Sequence, residues 1–538
     1  MLPLAALAVA ALVSAPILSV CAAIFTGGTQ DTWRHLASTV LPEYVASTLW
    51  LCAGVGLGTA AIGVLTAWLV TAHEFPGRRF FEWALVLPLA VPAYVMAYAY
   101  TDLLQFAGPV QTWLRASFGW RGGDTWFPDV RTLAGAVTMF VFALYPYVYL
   151  LARTAFLEQA TAMIEVGRSL GLRPWSAFFR VSLPLARPAV AAGAALALME
   201  TLADFGTVAF FGVQTFTTGI YRAWFSLGDR TASAQLATAL LGFVVLLLVF
   251  ERLSRGRARF HDTTARSRPQ PGQRLAGWKA AGAASACALP LTFGFAVPAG
   301  VLLEMAVTEG DAQFGLRFLR LARNSFTLAA LSASLAVLVS LLLAYAARTS
   351  RSRWPRSVNR LAGLGYAVPG SVIAVGVLIP VTRLDIWLAR AIEAASGARV
   401  GLLLTGGIAA LVYAYLVRFL AVALQTVEAS LARITPSMDD AARSLGCGPG
   451  ETLRRVHLPL LRGGLLTAGL LVFVDVLKEL PATLVMRPFD FDTLATQVYT
   501  LASDERLAEA STSALAIVAV GILPLVVISR QIARGRSG

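Results

Sequence analysis

The sequence predicts an all-α membrane protein of about twelve transmembrane helices, arranged as two parallel six-helix repeats. Three observations carry that expectation. The 538-residue chain is 57% hydrophobic and only 14% charged, where a soluble domain carries roughly 25% charged residues; its mean hydropathy is +0.68. Its apolar residues fall in long runs of about 20, the length that crosses a bilayer core. The second half of the chain repeats the first at an offset near 275. Such a composition excludes an ordinary soluble enzyme, a disordered chain and a disulfide scaffold.

The predicted spans are 4–25, 47–72, 83–106, 131–152, 185–210, 235–250, 281–306, 324–347, 361–381, 401–424, 464–486 and 511–529. Their richness in Leu, Ala, Val and Gly fits helices, and the alternating short segments of a membrane barrel are absent. The first run lacks a charged leader, and Leu18-Ser19-Val20-Cys21 lacks a small residue before Cys21, so it is taken as a helix rather than a signal peptide. Gly54, Gly56, Gly58 and Gly63 suit close helix packing. Tyr94, Tyr98 and Tyr100, with Tyr145, Tyr147 and Tyr149, suit interface-belt or packing positions.

The net charge is +14, but the basic residues sit in short loops between apolar runs, which argues against nucleic acid as a partner. With the N-terminus inside, roughly twice as many Lys and Arg fall on the inner side as on the outer, the bias of cytoplasmic loops. The linker 252–279 and the loop 348–360 are the strongest cases; Arg317, Arg320 and Arg323 in an outer loop oppose the trend. Both termini are therefore expected in the cytoplasm. The four cysteines form no CxxC pair and the four histidines are scattered, so no metal site is expected. No catalytic constellation is predicted either.

The duplication is clearest where EVGRSLGLRPWSAFFRVSLPLARP (165–188) meets DAARSLGCGPGETLRRVHLPLLRG (440–463), with eleven of 24 positions identical. Ala90-Val91-Pro92 likewise recurs as Ala367-Val368-Pro369. Six spans is an even number, so both halves enter the membrane in the same direction, as parallel repeats. The Arg- and Pro-rich linker between them reads as a flexible cytoplasmic connector.

Each repeated segment predicts a helical hairpin on the inner face. Gly171 and Gly446 permit the left-handed turn that ends a helix; Pro174 and Pro449 suit the first turn of the next; Leu183-Pro184 and Leu458-Pro459 close it before the following span. A mere connector has no reason to keep this spacing twice. The run from Glu165 through Gly171 to Val181-Ser182-Leu183-Pro184, and from Asp440-Ala441-Ala442 through Gly446 to Val456-His457-Leu458-Pro459, resembles the EAA loop of membrane subunits of binding-protein-dependent ABC importers. The first copy departs from the pattern, with Val166-Gly167 where the family has two alanines, and the second opens on Asp440.

That resemblance implies a type I ABC importer transmembrane fold. It divides the chain into a first helix and outer loop (1–42), a first transmembrane half (43–251), a linker (252–280), helix 7 and its outer loop (281–319), a second half (320–530) and a tail (531–538). It implies an inner-membrane location, two copies of a cytoplasmic ATPase docked on the two loops, and a periplasmic substrate-binding protein. The segments Leu202-Ala203-Asp204-Phe205-Gly206-Thr207 and Lys478-Glu479-Leu480-Pro481-Ala482-Thr483-Leu484 are similar to the fused iron(III) permeases, implying ferric iron as cargo. Thiamine or another small solute is the alternative, and an ion-coupled secondary transporter a further one. Neither lysine, Lys279 or Lys478, ends a Gly-rich phosphate loop, so ATP and Mg are expected on the partner ATPase and no cofactor on this chain.

Ionisable residues within spans default to functional hypotheses. Glu200 and Asp204 in the fifth span, and Asp475 and Glu479 in the eleventh, are symmetry mates at offset 275. Members of each pair, four residues apart, are expected on one helix face. They are candidates for the substrate pathway, where four carboxylates would attract a hard cation; pairing with Lys478 and plain exposure are the competing explanations. The acidic outer loop with Asp490, Asp492, Asp504, Glu505 and Glu509 suits either the capture protein or solvent.

Overall fold

The computed structural model describes residues 2–25, 30–120, 127–158, 176, 178–255, 273–308, 315–350 and 354–534. Among them, eleven helices are long and apolar enough to cross a membrane, with one further pair sharply bent. The first half contains α1 (Leu2–Ala22), α2 (Leu41–Ala72), α3 (Arg78–Ala84), α4 (Ala93–Leu104), α5 (Leu133–Glu158), α6 (Phe178–Ala203), α7 (Gly206–Phe210), α8 (Phe216–Tyr221) and α9 (Arg230–Arg255). The second contains α10 (Trp278–Thr308), α11 (Leu316–Thr349), α12 (Trp354–Ala362), α13 (Gly370–Ser396), α14 (Ala409–Leu431), α15 (Pro436–Ser444), α16 (Pro449–Leu477), α17 (Pro481–Met486), α18 (Leu494–Ser503) and α19 (Leu507–Arg534). From α2 and α11 onward the helices recur in the same order, so the duplication in the sequence is a duplication of elements.

Four predicted spans are not single straight helices. The 83–106 run splits, because Val91 before Pro92 is extended at φ −96°, ψ 111°, the conformation a following proline imposes; the helical segments flanking it are bent by 90°. Val368 before Pro369 breaks the 361–381 run in the same way. The fifth and eleventh runs end as helices at Ala203 and Leu477, and each continues as a short separate helix, α7 or α17.

Nor does Leu458-Pro459 close the hairpin. Helix α16 runs through it, because a wider π-turn at Leu453–His457 precedes the proline, and such bulges absorb a missing intrahelical bond. The same device occurs at Phe178–Ser182 before Pro184, and at Thr292–Ala296 before Pro298 in α10.

Small residues let the first half close up. A Cβ on Gly54, Gly58 or Gly63 would come within 2.8, 2.5 or 2.6 Å of Val137, Val141 or Val148 on α5. Gly56 faces Leu198 on α6 instead. The first helix of each repeat crosses to the opposite half: α1 packs on α12 and α13, and α10 packs on α4 and α2 as well as on α19. The Tyr413 hydroxyl donates to the Leu12 carbonyl at 2.6 Å, and the Tyr100 hydroxyl to the Phe293 carbonyl at 2.6 Å. The linker is not free at its far end, where Gln273–Arg274 pairs in parallel with His73–Glu74.

Candidate functional site: an inter-half cavity and the coupling hairpin

Helices α6 and α16 stop at the junction between the halves. Glu200 lies about 24 Å along α6 from Pro184, at roughly 1.5 Å per residue. After Ala203 and Leu477 the chain runs through short non-helical links and restarts as α7 and α17. The links fold this way because their carboxylates cap the short helices. Asp204 accepts from the Thr207 amide at 2.8 Å and from its hydroxyl at 3.1 Å. Glu479, its symmetry mate, accepts from the Ala482 and Thr483 amides at 2.9 and 3.1 Å and from the Thr483 hydroxyl at 2.9 Å. A carboxylate satisfies the orphan amides of a helix start and favours its positive end. Asp204 and Glu479 therefore do not share a continuous helix face with Glu200 and Asp475, contrary to the spacing argument.

All five pathway candidates nevertheless line one cavity of about 100 Å³, together with Tyr94, Tyr147, Tyr366 and Arg418. The Arg418 guanidinium reaches Glu479 at 3.1 Å; Lys478 reaches Asp475 at 3.0 Å; the Tyr366 hydroxyl donates to Glu200 at 2.8 Å. Four carboxylates face two cations, leaving an acidic excess, and each of the four already has a partner. Among the described residues no three His, Cys, Asp or Glu side chains converge so as to hold a metal.

Next to the cavity, past Asp204 and Pro481 in its lining, lies an aromatic layer. Phe205 stacks on Tyr221 with ring centroids 3.7 Å apart and lies 5.6 Å from Tyr499. The Tyr221 hydroxyl donates to the Pro481 carbonyl of the other half. Gly206 is pressed between Tyr94 and Leu480, where a Cβ would fall within 2.7 and 2.8 Å of their side-chain atoms. Beyond this layer opens a vestibule of about 520 Å³ that shares Phe205, Tyr221 and Tyr499 and adds Arg222 and Arg487.

Arg418 as the partner of Glu479 is not legible in the sequence, and Tyr94 and Tyr147, expected at belt or packing positions, line the cavity. The aromatic layer was not expected either. Extending the repeat would have found part of it: Tyr221 and Tyr499 are mates at offset 278, and Phe205 and Leu480 at 275. In the acidic outer loop, Asp492 pairs with Arg487, Glu509 with Arg506 and Glu505 with Arg131.

The second hairpin is fully described. Helix α15 ends at Ser444, Gly446 turns the chain at φ +83°, and Pro449 opens α16. Ala442 is buried, whereas Asp440 pairs with Arg443 on the surface and Leu445 is 83% exposed at the turn. The hairpin is fastened to the end of α11: Arg348 holds Asp439 at 2.8 Å, His457 lies 2.6 Å from the same carboxylate, and the Tyr345 hydroxyl donates to the Pro449 carbonyl at 2.5 Å. Of the first hairpin, Glu165, Gly171 and Pro174 lie outside the described residues. Leu183 and Pro184 open the straight part of α6 just after its π-turn, and Phe178 packs 4.8 Å from Trp68.

The family described as "Binding-protein-dependent transport system inner membrane component" matches this chain twice, over residues 59–257 and 336–536. Among curated proteins, the chain is 27% identical to the Fe(3+)-transport system permease protein FbpB 2 of Haemophilus influenzae, over 91% of this chain and 90% of that one. It is 21% identical to the putative ferric transport system permease protein FbpB 1 of the same organism, over 87% and 74%. The sulfate transport system permease protein CysT of Escherichia coli is 29% identical over 34% of this chain and 64% of its own.

Proposed function

This chain belongs to the family of binding-protein-dependent transport system inner membrane components, and on that premise we propose that it is the membrane permease of an ATP-driven importer for ferric iron. A periplasmic binding protein delivers the ion to the vestibule. Two copies of a separate cytoplasmic ATPase bind the EAA hairpins, and ATP and Mg reside there. Both termini lie in the cytoplasm of an inner-membrane protein.

The observation that carries this proposal is the cavity where the two repeats meet, with Glu200, Asp204, Asp475 and Glu479 around it and an aromatic layer beside it. Carboxylates and phenols are the oxygen donors a hard cation prefers. The cavity is well below the roughly 300 Å³ of a typical organic-ligand pocket, which in this conformation favours an ion over thiamine. Because every carboxylate is already partnered, the ion is held weakly enough to be released, as passage requires.

Coupling follows the helices. Helix α16 is continuous from the hairpin turn to Leu477, so displacement of the hairpin moves the link that carries Lys478 and Glu479. ATPase closure draws the two hairpins together, rotates the halves about their interface and parts Phe205 from Tyr499. Such coupling requires that the ATPase bind the two states of the permease with different affinity.

The test is uptake into vesicles containing the chain, its ATPase and its binding protein, with radiolabelled ferric iron or thiamine as cargo. ATP-dependent accumulation of iron alone supports the proposal. Accumulation of thiamine alone, or accumulation driven by a proton gradient without ATP, refutes it.

A further inference from the structure

At the hairpin end of the second half, an open basin of about 660 Å³ lies between α9, α11, α12 and α14. Arg252, Arg348, Arg356 and Arg360 line it, against Glu428 as the one carboxylate. Arg348 is committed to Asp439 and to the Leu431 and Ile434 carbonyls, and Glu428 accepts from Asn359 at 2.6 Å. Among the described residues, Arg252, Arg356 and Arg360 have no ion-pair partner. The iron pathway does not use them, and the basin is separate from the inter-half cavity.

Its place in the membrane identifies what fits. The basin sits where α14 ends and the coupling hairpin begins, which the charge bias of the loops assigns to the inner boundary of the bilayer. Helix α12 lies beside it as a short amphipathic element: Val358, Asn359 and Ala362 face the protein, while Trp354 and Leu361 are 59% and 43% exposed. An apolar face next to three guanidinium groups that have no ion-pair partner among the described residues matches a molecule with an acyl chain and an anionic head. Arginine forks suit phosphate oxygens, and basic recesses between helices on the cytoplasmic side are where anionic headgroups bind.

We propose that this basin binds the phosphodiester headgroup of an anionic phospholipid through Arg252, Arg356 and Arg360, with the acyl chains lying along the exposed face of α12. The bound lipid holds α12 against the ends of α9 and α14, beside the base of the second hairpin. The proposal rests on the membrane placement of the chain and not on the identity of its cargo.

Native mass spectrometry of the full-length chain in detergent tests this, with phosphatidylglycerol and phosphatidylcholine of identical acyl chains as probes. The wild type should retain phosphatidylglycerol in preference by about tenfold or more, since each basic residue near the surface is worth about 1 kcal/mol. The R252Q/R356Q/R360Q variant should lose the preference, and R252K/R356K/R360K should keep most of it. Should the triple Gln variant not fold, Arg356→Gln alone should lower the preference by about threefold or more. Undiminished preference in the Gln variants overturns the proposal. So does displacement of the lipid by equimolar glycerol 3-phosphate, which would make this a soluble-phosphate site. So does a Gln variant that keeps its lipid but no longer co-purifies with the ATPase, which would make it a protein seat.

Discussion

Arg418 on α14 and Glu479 in the link before α17 meet at 3.1 Å, both almost fully buried, and Glu479 also caps α17 through two backbone amides. One carboxylate thus holds the break in the eleventh span and ties it to a neighbouring helix. Replacing Arg418 with Met should strand a buried charge and cost about 3–5 kcal/mol, read as a lowered thermal unfolding midpoint in detergent. Adding Glu479→Gln should recover a large part of that loss, since the two residues are directly coupled.

The aromatic layer should act as a seal. Phe205→Ala removes the ring that stacks on Tyr221 and approaches Tyr499. The expected result is ion leakage through vesicles containing the chain alone, without ATP, where the wild type is tight. Tyr499→Phe, which keeps the ring, should leave the seal closed.

Charge in the cavity should tune passage rather than folding. Glu200→Gln keeps a hydrogen-bonding partner for Tyr366 while removing one negative charge. Iron uptake should fall by about tenfold, the order of one lost charge-assisted contact, with unchanged co-purification of the ATPase and an unchanged unfolding midpoint. Lys478→Met frees Asp475 and raises the acidic excess, so release should slow and the maximal uptake rate should fall.

The second hairpin depends on its turn. Gly446 sits at φ +83°, where a side chain with a Cβ costs about 1–2 kcal/mol. Gly446→Val should weaken ATPase retention in a pull-down. Asp439→Asn, which loosens the tie to Arg348 and His457, should leave ATPase binding intact and lower the uptake obtained per ATP hydrolysed.

The architecture was legible in the sequence because hydropathy and duplication are properties of whole segments, and both survive errors of several residues at any boundary. The breaks were less legible. Apolar runs 83–106 and 464–486 look continuous to a hydropathy window, but Pro92 and the Lys478–Pro481 link interrupt them through backbone geometry that hydropathy does not register. The acidic pairs were found because four carboxylates stand out in apolar spans and recur at one offset. Their partners were not, since Arg418 and Tyr366 lie on other elements, 61 and 166 residues away from Glu479 and Glu200, and that proximity exists only in the folded bundle.

The hairpins as handles for an external motor are the centre of this account. Vesicles carrying the binding protein and the ATPase with either the wild-type chain or the Gly171→Pro, Gly446→Pro double variant test it most directly, by accumulation of radiolabelled ferric iron on addition of ATP. The wild type should concentrate iron against its gradient, while the variant should still insert in the membrane but retain no ATPase and accumulate none. Equal ATP-dependent accumulation by both chains would contradict the account.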